Sequence, residues 1–144
     1  MKWQYEAIDK LKGYQKRKHA IESITEEIEE LELEFGAIRS STSDSEPVQG
    51  SGGRSEDALL NNIAKREELK RTLEINKKSM DIIDGALAML DDDAITVLDC
   101  FYIRPRENME EMCEELGVEQ ATVYRRKNEA LRQFTMALYG IPEV

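Results

Sequence analysis

The chain is poor in the residues from which chemical sites are usually built. Among 144 residues it has one histidine, two cysteines, one tryptophan and three prolines, and aromatics make up 6%. His19 lies in the basic stretch Lys16-Arg17-Lys18-His19 with no second histidine and no Ser/Cys–His pairing cue. Nucleophilic catalysis therefore has no visible parts. Cys100 and Cys113 lack a CxxC spacing and a neighbouring histidine pair, whereas a zinc site needs about four closely spaced ligands. Both thiols read as small buried hydrophobes of a reducing compartment. Gly50, Gly52 and Gly53 carry neither the lysine nor the preceding strand of a phosphate-cradling loop. No window approaches the ~18–20 apolar residues of a membrane span. The opening Met1-Lys2-Trp3-Gln4-Tyr5-Glu6 lacks the apolar run of a signal peptide. The expectation is a cytoplasmic protein that is not an enzyme, with no cofactor, no metal and no membrane contact.

What the chain has in abundance is charge. Charged residues make up 35%, with 20 Lys+Arg against 30 Asp+Glu for a net charge of −10. With few aromatics and prolines, such a composition favours long helices around a thin core. The acidic balance also weighs against nucleic acid, since phosphates are neutralised by Lys and Arg, unless the positive charge is concentrated in one place.

Ile21, Ile24, Ile28, Leu31, Phe35 and Ile38 alternate at spacings of three and four, a heptad seam. Continued towards the N-terminus, the register meets Ala7 and Tyr14 but also Lys10 and Arg17, so the seam frays into a less regular face of Trp3, Tyr5, Ile8 and Leu11. Residues 40–56, almost without apolar side chains and rich in Ser and Gly, read as a flexible loop. Ser55 is a candidate N-cap for the helix that follows. That helix, over 57–90, repeats the heptad grammar: Leu59, Arg66, Leu73, Met80 and Leu87 share one position, and Asn62, Leu69, Asn76, Ile83 and Leu90 the other. The two asparagines are either register-setting polar intrusions or exposed positions. The expected architecture is all-α: a long antiparallel heptad hairpin from helices 1–39 and 57–90, then a compact domain over 91–144. A two-helix hairpin buries one stripe per helix, so it should either self-associate, giving a homodimer, or pack on the C-terminal part.

The C-terminal third has a different grammar. Asp91-Asp92-Asp93 fits a helix start ahead of the apolar segment Ala94–Ile103, and Arg104-Pro105-Arg106 ends it. Met109, Met112, Cys113 and Leu116 then share a helical face, Gly117 stands where a helix ends in a left-handed residue, and a second helix follows from Glu119 through Val123, Leu131, Phe134 and Leu138. Helix, glycine turn, helix, with a small residue four before the glycine, is a helix-turn-helix pattern. Val118 to Gly140 holds Arg125, Arg126, Lys127 and Arg132 against Glu119 and Glu129, while Asp91 to Gly117 has two arginines against nine carboxylates. The acidity lies on the supporting helices and the second helix is basic, which points to double-stranded DNA as partner.

The stretch Leu90–Leu138, above all ELGVEQATVYRRKNEALRQF, resembles the fourth region of bacterial sigma factors. The whole layout is similar to phage and prophage transcriptional regulators of the RinA/ArpU type. That resemblance implies a sequence-specific DNA-binding regulator, an activator of phage genes that also touches RNA polymerase. Carried over by position, it implies that Gln120, Ala121, Tyr124, Arg125 and Asn128 face base edges, and that Thr122, Arg126, Lys127 and Arg132 hold phosphates. Glu119 departs from the Ser or Thr cap usual in the family. Arg126 stands where many such motifs have an apolar residue, so its stem should pack while its charge snorkels outward. Two other readings use the same parts: an RNA polymerase-binding, sigma-like accessory protein, and a small terminase subunit for DNA packaging.

Overall fold

The computed structural model describes residues 2–44 and 51–141, with the side chains of 42–44 and 51–52 left aside. The described residues are mostly helical, without a strand: α1 (Trp3–Lys12), α2 (Tyr14–Asp44), α3 (Ser51–Leu87), α4 (Asp92–Leu98), a π-turn (Asp99–Ile103), α5 (Met109–Leu116) and α6 (Gln120–Tyr139). They form two compact units, one of Met1–Lys18 with Lys78–Val144 and one of His19–Lys77.

In the His19–Lys77 unit, α2 and α3 run antiparallel, since Glu27 pairs with Lys65 and the carbonyl of Leu31 with Asn62 further back along α3. The heptad positions are half-buried or buried, and most residues between them are exposed, with half-buried exceptions such as Thr25, Glu27 and Ile63. Asn62 is 5% exposed and sets the register. Its Nδ2 donates to the Leu31 carbonyl at 2.8 Å, and its Oδ1 accepts from Arg66 Nε at 2.8 Å. Arg66 occupies an apolar position because its guanidinium lies 4.8 Å from the Phe35 ring centroid. Asn76 instead bonds locally, to the Thr72 carbonyl.

The second unit is a true core. Ala7 and Leu11 of α1, Ile83, Ala86 and Leu87 of α3, Val97 and Leu98 of α4, Met112 of α5 and Val123, Leu131 and Phe134 of α6 are buried together. The boundary expected at residue 91 therefore moves. The first stretch of the chain and the end of α3 join the C-terminal helices, and the heptad positions Ile83, Leu87 and Leu90 serve this core. Gly13 interrupts the first helix and divides α1 from the hairpin seam. The Tyr14 hydroxyl donates to Asp84 Oδ1 at 2.7 Å, and burial together with that carboxylate pushes its pKa up to about 12.

The loop expected over 40–56 is also corrected. Residues 40–44 continue α2 and 51–56 already belong to α3, so Ser55 is inside a helix and not its cap. A helix already nucleated adds one backbone hydrogen bond per residue, which outweighs modest propensity. Residues 45–50 of that expected loop lie outside the described residues. Among the described residues no helix is long and apolar enough to cross a membrane.

Candidate nucleic-acid interface

The site is built on α5 and α6 and on the bracket that holds them. Asn108 caps α5 by accepting from the Glu111 amide at 2.9 Å. Gly117 ends it in the left-handed region, with φ 68°. The Cys113 carbonyl accepts from the amides of Gly117 at 2.8 Å and Val118 at 3.2 Å, and half-buried Val118 packs on the core, the arrangement that closes a helix on a glycine. Three residues after α5 ends, α6 begins. Glu119 is its N-cap by backbone, with no hydrogen bond from its side chain, so the first amides of α6 have no side-chain partner.

Preceding α5 is an ion-pair network that the sequence reading took only for a helix break. Pro105 lacks an amide hydrogen and keeps Arg104 out of the helical region, at φ −128° and ψ 79°. The backbone leaves α4 through a π-turn closed by the Arg104 amide on the Asp99 carbonyl at 2.9 Å. Arg104 then grips Asp99 in a two-pronged pair at 3.0 and 2.8 Å. Arg106 grips Glu115 of α5 in the same way, at 2.7 and 2.8 Å, and reaches Asp99 at 3.3 Å. Arg106 holds the Glu115 carboxyl down at about 2, and Arg106 itself is raised, chiefly by that bond. Buried Cys100 donates to Glu115 at 3.6 Å, and burial pushes its thiol up to about 11. Two arginines in an otherwise acidic stretch, with carboxylates five residues before Arg104 and nine after Arg106, were the available signal.

Along α6 the two halves differ. At about 100° per residue, Gln120, Ala121, Tyr124, Arg125 and Asn128 fall within an arc of about 140°, and all five are exposed. Leu131 and Thr135 lie on the same arc further along and are buried, in the half of α6 where Trp3 of α1 stacks on Tyr139 at 4.7 Å. The five positions named for base edges are thus brought together on one bare face, and the face ends where packing begins.

The positions named for phosphates do not form one cluster. Lys127 borders the bare arc on one side, its Nζ 5.2 Å from the Phe101 ring centroid and 5.4 Å from that of Tyr124. Thr122 lies about 60° beyond the arc's other edge, whereas Arg126 stands nearly opposite the arc. Thr122 Oγ1 accepts from Arg125 at 3.2 Å. Arg126 is half-buried and lines a cavity of about 180 Å³ with Asp91, Asp93 and Ala94 at the start of α4. Arg132 stands apart, 3.7 Å from Glu129, and lines a separate groove with Met89 and Met136. Phe101, which the sequence presents only as one residue of the apolar segment Ala94–Ile103, is packed 6.0 Å from the Tyr124 ring and steadies it. Tyr124 itself stays 42% exposed.

A family model described as "Protein of unknown function (DUF1492)" matches residues 37–135, most of the chain, and the chain belongs to that family. No curated protein and no solved structure matches it.

Proposed function

We propose that this DUF1492 member is a sequence-specific regulator of transcription that binds double-stranded DNA through α6, working in the cytoplasm. The observation that carries the reading is the bare arc of Gln120, Ala121, Tyr124, Arg125 and Asn128 on the first half of α6, beside α5 and behind a glycine turn. A major groove of about 12 Å admits one helix, and the residue types on that arc suit base edges. Arg125 has the planar fork that fits guanine, Gln120 the amide that fits adenine, and Ala121 and the Tyr124 ring the apolar surface that fits the thymine methyl.

Lys127 on one flank and Thr122 on the other suit the two phosphate strands that border a groove, while Arg126 faces away from the arc towards the start of α4. The acidic α4–α5 region weighs against general adhesion to DNA, so specific contacts and a second partner become necessary. The resemblance to sigma region four and to RinA/ArpU-type phage regulators supports activation of phage genes and names RNA polymerase as that second contact.

The test is selection from a random duplex pool by the full chain, followed by sequencing of the retained fraction. A recurrent motif of a few base pairs supports the reading. A retained pool indistinguishable from the input refutes it.

A further inference from the structure

The end of α3 and the second half of α6 leave an apolar patch uncovered within one unit. Ile82 is 57% exposed, Met89 77% and Met136 47%. Met89 and Met136 line a groove of about 550 Å³ together with Glu129 and Arg132. Beside them Gly85, exposed and inside a helix, has no atom within 4 Å of where a Cβ would stand. A glycine at such a place is less favourable in a helix than alanine, and none of the described residues uses the space it leaves.

We propose that this patch is the pairing surface for a second copy of the chain, related by a two-fold axis. Three features select that occupant. The patch carries both signs of charge at its rim, Glu129 and Arg132, now only 3.7 Å apart with both side chains more than half exposed. A two-fold axis passing between the two side chains sets each glutamate opposite the other copy's arginine, the self-complementarity of an isologous contact. A partner of one charge sign would meet a like charge there. Ile82 on α3 and Met89 in the turn just after it stand either side of the gap at Gly85, offering bulk and a space to a crossing helix. Finally, a chain of net charge −10 gains affinity for DNA by doubling its phosphate contacts.

The last point alone rests on the DNA reading. This pairing places the dimer contact beside α6, away from the hairpin seam expected from the heptads.

The experiment is the mass of the full chain in solution by sedimentation equilibrium, without DNA. The wild type is expected at twice its 16.6 kDa. Met89→Glu with Met136→Glu should weaken pairing by about tenfold or more, with helicity unchanged because both side chains are exposed. Arg132→Glu should also dissociate the pair, and adding Glu129→Arg should restore it. Leu33→Glu, at a 76% exposed position of the hairpin unit, should leave the doubled mass intact. A single-chain mass for the wild type at about 100 µM would overturn the proposal. So would a doubled mass that survives the groove variants, or one lost on Leu33→Glu. A chain that pairs this way yet selects no DNA motif would keep the pairing and lose only the DNA reading.

Discussion

The two units use one heptad grammar for different ends. In the hairpin unit, the described residues below a tenth exposed are Ile28 and Asn62 alone, and exposed pairs such as Glu27–Lys65 decorate the rim. In the other unit, Leu11, Val97, Leu98, Cys100, Val123 and Phe134 are all fully buried. The seam that runs along α3 crosses from one regime to the other: Leu59 to Asn76 stay half-exposed, apart from Asn62, whereas Ile83 to Leu90 join a closed core. A heptad therefore marks the face a helix buries, while the number of partners around that face decides how much the burial stabilises.

This contrast predicts an ordering of stabilities. Phe134→Ala should cost about 3–5 kcal/mol, as for a fully enclosed aromatic, while Ile28→Ala should fall near the lower end of about 2–5 kcal/mol because its site can collapse towards solvent. Urea unfolding followed by helicity checks both, and equal losses would erase the distinction between the units. Next in size, Asn62→Ala should cost about 1–3 kcal/mol, since Arg66 loses its acceptor and the cross-hairpin bond goes.

A third effect appears only in acid. Glu115 titrates at about 2 when folded, below its ordinary 4.5. Its pairing with Arg106 therefore stabilises the fold fully above about pH 4.5, and that contribution fades as pH falls towards 2. Glu115→Gln should flatten the stability profile in that window; an unchanged acid limb would remove the bracket from the account. The smallest effect belongs to the hairpin rim. Lys65→Ala breaks a pair whose side chains are 58% and 44% exposed and should shift stability by about 1 kcal/mol or less.

The readable part of the molecule was its local patterning. The alternation at Ile21–Ile38 identified the seam of α2, and Gly117 between two apolar helical faces identified the turn. Asp91 proved to be the N-cap of α4, accepting from the Ala94 amide at 2.8 Å. Long-range pairings were not legible. The Trp3–Leu11 face read as a frayed seam because its partners on α6 lie far along the chain, and only the folded core brings Ala7 and Leu11 to them. The Ser/Gly composition of 40–56 concealed helix ends that adjoining turns propagate. On the candidate interface, α6 positions followed from helical spacing, whereas the Phe101–Tyr124–Lys127 cluster and the Asp99–Arg104–Arg106–Glu115 bracket depend on a π-turn that no local pattern announces.

The central claim is that the bare first half of α6 reads DNA sequence. Fluorescence anisotropy of the full chain on its selected duplex and on a scrambled one tests it most directly, with Arg125→Ala and Lys127→Ala measured beside the wild type. Arg125→Ala should cost about 1–3 kcal/mol on the selected duplex and little on the scrambled one. Lys127→Ala should weaken both about equally. Equal losses on both duplexes for Arg125→Ala, or no loss at all, would contradict the account.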